Sequence, residues 1–430
     1  MKNLFARRRY LHFDEPLAPK DAKALATTPA RVASWAFMPM LHWIIQAHKV
    51  KRQEDGSLEK KEPKDRPISY AAHKDAAIYA YYGQQLGAGY EVRARELDIS
   101  DCITAFRESC NRCNIDFAQE AFERIRQKGE CAALAFDIKG FFDNLDHVVL
   151  KAMWCKILNV ERLPEDHFAV FRSLTKFAFV DRVAVFDEFG ISPQNPRANG
   201  RKRICSPVEF RERVRGKKLI QTNKLAKGIP QGSPMSAMLS NIYMMDFDVA
   251  VARKVQSVGG LYRRYCDDML CLVTRESEKE IEDFVMGEIE KVKLEIQKEK
   301  TKRHRFRFEG EKLTVDEPLQ YLGFVFDGHR ALLRTASVAR YYRKMRAAVR
   351  LALQTKKKAD DLRAQHGEPK QPLKRRKLNI RYSYIGRHNF ISYAIRAAKK
   401  MKEPAIRKQI KPHWKKLNAE VEKAQAKIGS

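Results

Sequence analysis

The chain has 430 residues and a formal net charge of +31, from 84 Lys and Arg against 53 Asp and Glu. Its hydrophobic content of 44% and charged content of 32% are typical of a folded globular protein and exclude wholesale disorder. No apolar run reaches the roughly 18–20 residues that span a bilayer, and no apolar signal segment follows the basic N-terminus. We therefore expect a cytoplasmic protein that does not bind membranes.

The predicted elements alternate between helices and strands without an internal repeat. In chain order they are a mainly helical segment at 1–50, a polar turn at 53–64 with the hairpin signal Asp55-Gly56, an extended stretch at 65–70, helices at 72–86 and 115–128, a buried strand at 131–136, a helix at 146–158, a strand pair at 180–189, a long helix at 234–254, two strands joined by a tight turn at 261–273, an amphipathic helix at 276–294, a strand or hairpin at 319–326, and helices from 337 onward with a loop at 366–372. This mixed order predicts an α+β body with a helical C-terminal appendage.

The excess positive charge is concentrated in two stretches. Residues 331–430 carry 28 Lys and Arg against 6 Asp and Glu, a net charge of +22, and residues 197–224 carry ten Lys and Arg against Glu209 and Glu212. Charges of one sign at this density repel each other unless a polyanion is bound, so both stretches favour a nucleic-acid partner. A solvated basic surface is the alternative.

Three Asp residues stand out because they adjoin apolar strands. Asp137 directly follows the apolar run 131–136, and Asp267 and Asp268 lie between the two strands predicted at 261–273. Clustered carboxylates cost free energy to bury unless a cation joins them, and Mg²⁺ prefers carboxylate oxygens while keeping positions for phosphate. Two such ions about 4 Å apart stabilise an in-line phosphoryl transfer. The alternatives are an exposed hairpin turn for the Asp pair and a helix N-cap for Asp137.

Five motifs then occur in one order along the chain. Tyr265-Cys266-Asp267-Asp268 resembles the YxDD box of reverse transcriptases, and residues 134–147 are similar to their motif A in the form of the bacterial group II intron-like branch. Residues 228–236 resemble motif B, residues 320–324 the primer grip, and residues 64–68 the fingers strand that holds the triphosphate. The resemblance covers roughly residues 40–330.

The resemblance implies a right-hand polymerase of the α+β class, with fingers, a palm built on an antiparallel sheet, and a helical thumb. The implied domains are an N-terminal helical extension at 1–50, fingers at 51–130, a palm at 131–330 with a fingers insertion at about 150–227, and a basic thumb or RNA-binding segment at 331–430.

The resemblance also implies a set of catalytic residues. Asp137, the Ile138 carbonyl and Asp267 would bind two Mg²⁺ ions, with Asp268 more peripheral and Mn²⁺ as the alternative metal. Lys300 lies where the family has a lysine proposed to protonate pyrophosphate, although a solvated lysine run would explain it equally well.

A second implied set contacts the nucleotide and the primer. Lys64 and Arg66 would neutralise the triphosphate, and Gln231 would contact the incoming nucleotide and the template base. Phe141 and Phe142 also belong to the implied nucleotide-binding set, and Phe142 lies where the family places the steric gate that excludes a 2′-hydroxyl, which implies dNTP substrates. The primer grip would consist of Tyr321, Leu322 and Gly323.

Within the family, residues 37–82 are similar to the compact "unknown group" reverse transcriptases of bacteria, many of them defence-associated, and the length best suits their type 2 class. That class implies a cognate structured non-coding RNA as template and partner, with cDNA as product. A protein-primed or template-independent DNA polymerase of the abortive-infection type stays open as an alternative. A non-catalytic RNA-binding scaffold and an RNA-dependent RNA polymerase are less favoured, because the three Asp and Phe142 are intact.

Overall fold

A computed structural model describes residues 4–52, 57–107 and 111–429, without the side chains at 47–52, 58–61, 63–64 and 427–429. The chain divides into two compact units. Unit 1 comprises Met1–Ser109, Ala135–Cys271 and Lys279–Thr301, and unit 2 comprises Cys110–Leu134, Leu272–Glu278 and Lys302–Ser430. Within the described ranges, no helix is long and apolar enough to cross a membrane.

The helices are α1 (Pro19–Ala26), α2 (Pro29–Ala33), α3 (His73–Glu96), α4 (Asn114–Lys128), α5 (Phe141–Asn144), α6 (His147–Leu158), α7 (Glu165–Thr175), α8 (Arg182–Glu188), α9 (Pro207–Glu209), α10 (Ser236–Tyr243), α11 (Met245–Ser257), α12 (Glu278–Lys291), α13 (Thr335–Gln365), α14 (Arg376–Tyr382), α15 (Phe390–Lys400), α16 (Pro404–Ile410) and α17 (His413–Gly429). The strands are β1 (Met40–Arg52), β2 (Leu58–Tyr70), β3 (Cys131–Asp137), β4 (Ala178–Asp181), β5 (Gln221–Thr222), β6 (Leu261–Tyr265), β7 (Asp268–Val273), β8 (Lys302–Glu309), β9 (Lys312–Val315), β10 (Leu319–Tyr321), β11 (Phe324–Phe326) and β12 (Ala331–Leu333).

The strands form three sheets. In unit 1, β1 pairs with β2 antiparallel and with β4 in parallel, in the order β2-β1-β4-β5, and a bulge interrupts the β1–β2 ladder between Ala47 and Lys49. A five-stranded sheet has the order β6-β7-β3-β8-β9, and its strands β3 and β7 each contribute residues to both units. In unit 2, β10, β11 and β12 form an antiparallel meander. The α+β class is therefore confirmed.

Most predicted elements are confirmed. They are the helices predicted at 72–86, 115–128, 146–158, 276–294 and from 337, the extended stretch at 65–70, the strand at 131–136, the strand–turn–strand at 261–273, the hairpin at 319–326 and the loop at 366–372.

The mainly helical prediction for residues 1–50 is wrong at its C-terminal end, because residues 40–50 belong to β1. There Leu41 is fully buried and pairs with both Tyr70 and Val180, so partners distant in sequence satisfy the backbone of this apolar run. The turn predicted at 53–64 ends earlier than expected, because β2 already begins at Leu58. The hairpin signal Asp55-Gly56 lies outside the described residues.

Two further predictions are wrong. The strand pair at 180–189 is only a short strand followed by α8, because the Asp181 carboxylate caps that helix by accepting from the Ala184 N–H at 2.8 Å. Val185 and Phe186 then enter the core from adjacent helical positions. The long helix at 234–254 is two helices, α10 and α11, because the backbone at Met244 (φ −85°, ψ 0°) interrupts the α-helical ladder.

A buried carboxyl joins α3 to the segment that leads into β1. Asp75 is 1% exposed, and its two oxygens accept from Trp35 Nε1 and from the Met38 N–H, each at 2.8 Å. Burial raises the pKa of Asp75 to about 7, against the opposing effect of these hydrogen bonds. In the unfolded chain the pKa of the same carboxyl is about 3.9.

This shift predicts a pH-dependent contribution to stability. A raised folded-state pKa means that the folded protein binds the proton more tightly between about pH 4 and pH 7, so the contribution of Asp75 falls as pH rises through that window. We expect the unfolding free energy of the wild type minus that of Asp75→Asn to fall by about 3 kcal/mol between about pH 4.5 and 7.5. Urea unfolding at several pH values measures this difference, with the exposed Asp101→Asn as control. A difference that is flat or rises with pH would contradict the prediction.

Candidate active site

The turn between β6 and β7 presents two carboxylates. Cys266 holds a left-handed backbone conformation (φ 61°) that L-residues adopt only when their surroundings enforce it, and its side chain is buried. Asp267 is partly exposed and Asp268 is exposed, so both side chains can reach a ligand. The predicted tight turn is therefore present, and it is held in a strained form.

A buried ion pair behind this turn enforces it. Arg264 donates from Nε and Nη2 to the two carboxylate oxygens of Asp248, in α11, at 2.7 and 2.6 Å, and both side chains are 0% exposed. Tyr262 donates its hydroxyl to the same carboxylate at 2.8 Å. The remaining nitrogen, Nη1, donates to the Cys266 carbonyl at 3.1 Å and to Oδ1 of Asn241 at 3.3 Å. Burial opposes the charge of Arg264, but the Asp248 carboxylate raises its pKa above the ordinary value.

Sequence reasoning missed Arg264 and Asp248. The signal that could have found Arg264 was the alternation of side chains along β6. Tyr262 and Arg264 lie on its buried face, and the other three residues of the strand lie on the opposite face. A charged residue on the buried face of a strand needs a buried partner, which a helix elsewhere in the chain supplies here.

Asp137 lies beside the turn at the end of β3. The Ile138 N–H donates to the Asp267 carbonyl at 3.3 Å, which places the backbones of Asp137 and Asp267 side by side. On the other side, the Gln297 N–H donates to the Asp137 carbonyl at 2.8 Å. Because N–H and C=O of one extended residue point the same way, the Ile138 carbonyl faces the Asp267 side. The structure thus places the backbones of Asp137, Ile138 and Asp267 next to one another.

This donor set fits a hard divalent cation. Asp137 and Asp267 supply carboxylate oxygens and Ile138 a carbonyl oxygen, which are the ligand types that Mg²⁺ and Mn²⁺ take. Among the described residues, no group of three His, Cys, Asp or Glu side chains converges as a complete metal site. Asp268 is exposed to solvent.

Lys300 contacts the same centre. Its Nζ lies 2.7 Å from Oδ1 of Asp137, and the two side chains are 38% and 27% exposed. Lys300 belongs to a short 3₁₀ turn that follows Gln297, the residue already bonded to the Asp137 backbone. Lys298, by contrast, is exposed and forms no ion pair within the described part of the chain. Lys300 is therefore distinguished from Lys298 by its ion pair with Asp137.

The loop over residues 228–236 packs tightly against its neighbours. Gly228 and Gly232 have positive φ angles of 89° and 110°. A Cβ on Gly232 would lie 2.4 Å from the Ser69 oxygen, and one on Gly228 would lie 2.9 Å from the Asp143 oxygen, so only glycine fits either position. The Ser69 N–H donates to the Gln231 carbonyl at 2.7 Å, which ties this loop to β2 and leaves the Gln231 side chain partly exposed.

Two adjacent phenylalanines begin α5. Phe141 is 3% exposed and belongs to the core, whereas Phe142 is partly exposed, with the two ring centroids 5.5 Å apart. The Ile229 N–H donates to the Phe142 carbonyl at 2.9 Å, so this helix and the 228–236 loop are joined through the backbone. Phe142 is therefore the ring that a ligand could contact.

The residues predicted to hold the triphosphate lie on β2. Arg66 is exposed and pairs across the ladder with Ile45. The backbone of Lys64 pairs with Ala47, but its side chain lies outside the described part of the structure.

The predicted primer grip lies in unit 2, at the turn between β10 and β11. Leu322 and Gly323 have positive φ angles of 47° and 92°, and Tyr321 is 4% exposed. Asn114, at the start of α4, donates its amide to the Leu322 carbonyl at 3.0 Å and to the Tyr393 hydroxyl at 2.8 Å. This turn is therefore anchored to helices of its own unit.

A family model described as reverse transcriptase (RNA-dependent DNA polymerase) matches residues 58–326, more than half of the chain. Among solved structures, the chain is similar to telomerase from Candida albicans in complex with a TWJ fragment of telomeric RNA, at 10% identity and a TM-score of 0.44, over 94% of this chain and 58% of that one. It is also similar to apo telomerase from Candida tropicalis, at 12% identity and a TM-score of 0.42, over 68% of this chain and 46% of that one. The chain thus spans about half the length of these structures. A search of curated proteins finds no match.

The buried ion pair yields a stability prediction. Arg264→Gln would leave the Asp248 carboxylate buried without its cation, so we expect the unfolding free energy to fall by about 3–5 kcal/mol. Removing both charges, in Arg264→Met/Asp248→Leu, should recover most of that loss, because well-packed apolar groups replace a buried pair at little cost. Thermal and urea unfolding of both variants measure this, with the neighbouring Arg263→Gln as control. An Arg264→Gln variant as stable as this control would show that the pair does not support the turn.

Proposed function

We propose that this chain, which belongs to the reverse transcriptase family, is an RNA-directed DNA polymerase that copies a cognate structured non-coding RNA into cDNA, in defence against phage. The observation that carries the catalytic part is the hydrogen bond from the Ile138 N–H to the Asp267 carbonyl, because Ile138 directly follows Asp137. That contact places two carboxylates where adjacent strands of the five-stranded sheet end.

Members of this family use divalent metal ions. We propose that Asp137, Asp267 and the Ile138 carbonyl hold two Mg²⁺ ions, with Mn²⁺ as the alternative and Asp268 at the periphery. When bound, such ions stabilise charge on the attacking and leaving oxygens of nucleotidyl transfer. The ammonium of Lys300, held at the Asp137 carboxylate, is positioned to donate a proton to the pyrophosphate that leaves.

The nucleotide would bind between β2 and the 228–236 loop. Arg66 is exposed on β2, and Arg guanidinium groups bind phosphate oxygens in a bidentate manner; Lys64 would add charge on the same strand. Gln231 would contact the base pair being formed. The exposed edge of Phe142 would pack under the sugar and exclude a 2′-hydroxyl, which selects dNTPs.

The domain assignment and the RNA partner are part of the same proposal. We assign residues 51–130 to fingers, 131–330 to palm with the insertion at about 150–227, and 331–430 to a thumb that also binds RNA, with residues 321–323 as the primer grip. The net charge of +22 in residues 331–430 supports an RNA ligand, because Lys and Arg gain affinity by displacing the counterions of phosphates. The defence role rests on the sequence resemblance to compact defence-associated enzymes.

Substitution of the carboxylates tests the catalytic proposal. We expect Asp137→Asn and Asp267→Asn each to lower dNTP incorporation on poly(rA)/oligo(dT) with Mg²⁺ by about 100-fold or more, because each removes a charged ligand. The exposed Asp101→Asn should retain wild-type incorporation. Full incorporation by either active-site variant would refute this assignment.

Sequencing the RNA and DNA that co-purify with the wild type and with Asp267→Asn then tests the template. One abundant RNA, together with complementary DNA that the variant lacks, is the expected result. DNA without complementarity to the bound RNA would instead establish untemplated or protein-primed synthesis.

Phe142→Ala tests sugar selection. Removing the ring should open space for a 2′-hydroxyl and lower the ratio of dNTP to rNTP incorporation by about 10- to 100-fold, the size of effect that one steric clash in a binding pocket produces. Single-nucleotide incorporation with each substrate measures the ratio. Phe141→Ala is the matched control, because it removes a buried ring and should reduce stability without changing the ratio. An unchanged ratio in Phe142→Ala would contradict the gate.

A further inference from the structure

Two basic segments of unit 1 that are far apart in sequence lie against each other. The first is the run of three arginines at 7–9, and the second is the insertion at 197–218. The Ile204 N–H donates to the His12 carbonyl at 2.8 Å, and Arg197 Nη1 donates to the Arg9 carbonyl at 3.5 Å. We call residues 7–9 together with 197–218 the composite basic surface.

A buried cluster fixes this arrangement. Leu11 and Phe13 come from the N-terminal segment, while Ile204, Cys205 and Val214 come from the insertion, and all five pack in one core. The composite basic surface therefore displays its charges on an ordered scaffold, so a ligand would not need to order the loop on binding.

Few carboxylates offset these charges. Glu188 pairs with Arg213 and Lys217, and Glu209 accepts from the Ser206 backbone N–H at 2.7 Å. Within the described part of the chain, no ion pair joins a carboxylate to the exposed side chains of three further residues, Arg9, Arg197 and Lys202. Mutual repulsion of these cations disfavours the fold unless a polyanion is bound.

Two aromatic rings beside this surface already pack against other rings. Tyr10 stacks on His73 with ring centroids 4.6 Å apart, and Phe13 packs edge-on against Phe210 at 4.8 Å. Binding of single strands normally uses exposed rings on which bases stack, whereas duplex RNA is contacted through phosphates and 2′-hydroxyls. The chemistry of this surface therefore fits a duplex backbone.

We propose that the composite basic surface binds the phosphate backbone of a double-stranded region of an RNA. The proposal rests on the RNA partner of the proposed function and adds a set of RNA-binding residues in unit 1 to those proposed in residues 331–430. It gives a function to the insertion at 197–218, which contains none of the polymerase motifs.

A charge-matched pair of variants tests this. Arg9→Gln/Arg197→Gln/Lys202→Gln removes three exposed charges from the surface, and Arg162→Gln/Arg253→Gln/Lys279→Gln removes three exposed charges elsewhere in unit 1. The probes are an RNA hairpin of about 20 base pairs, a DNA hairpin of the same sequence and a single-stranded RNA of equal length. Binding is measured without dNTPs over a range of salt concentrations, and thermal unfolding confirms that both variants are folded.

We expect the surface variant to bind the RNA hairpin about 10-fold more weakly than the control variant. The slope of log affinity against log salt concentration should be smaller in magnitude by up to about 3, since each phosphate that a cation neutralises contributes about 0.9. The single exposed change Lys202→Glu should weaken hairpin binding in the same direction.

Equal weakening of hairpin binding in the two triple variants would overturn the proposal, as would weakening confined to the DNA hairpin or to the single strand. Hairpin binding is measured without polymerisation. If the wild-type chain made no cDNA, the proposed function would be refuted, but the binding measurement would still test the composite basic surface.

Discussion

The buried pair of Arg264 and Asp248 is the constraint on which the catalytic centre depends. Taking two charges out of water costs several kcal/mol per ion, and only close, fully satisfied geometry offsets that cost. Here the guanidinium binds both carboxylate oxygens, and its remaining nitrogen reaches the Cys266 carbonyl. The pair therefore fixes helix α11, strand β6 and the left-handed turn residue in one arrangement, and Asp267 follows that residue directly. Through the Ile138 N–H, the same arrangement sets the position of Asp137.

A second consequence concerns charge within the centre. Gln297, three residues before Lys300, donates its N–H to the Asp137 carbonyl. This backbone hydrogen bond holds the segment next to Asp137, and the Lys300 ammonium then reaches the Asp137 carboxylate. A cation at this position lowers the cost of concentrating carboxylates beside one another. In the proposed mechanism the same ammonium is the proton donor to the leaving pyrophosphate. One short 3₁₀ turn thus serves both the electrostatics of the site and the proposed proton transfer.

The sequence predicted the parts of this protein whose causes are local. The carboxylates and the two glycines of the 228–236 loop could be found because a strand end, a tight turn and a positive φ each impose their own residue types. Strand β1 could not, because its apolar residues fit either a helix or a strand, and its partners Tyr70 and Val180 come from other parts of the chain. The alternating apolar residues of helix α8 predict a strand, whereas Asp181 at its N-cap favours the helix that the structure has. The role of Arg264 could not be predicted, because its ion-pair partner Asp248 lies on another element and becomes its neighbour only in the folded chain.

The charges proposed for catalysis and those proposed for RNA binding lie in different parts of the sequence. The carboxylates proposed to carry the chemistry are few, whereas the net positive charge of the chain is concentrated in residues 331–430 and in the composite basic surface. A net charge of +31 attracts any polyanion, so charge alone cannot select one RNA. Selection must come from geometry, since contacts fixed on a rigid scaffold can be made together only by an RNA whose phosphates match their spacing. The core formed by Leu11, Phe13, Ile204, Cys205 and Val214 supplies that rigidity in unit 1. An insertion that would otherwise be a solvated loop is thereby able to contribute to the choice of partner as well as to the strength of binding.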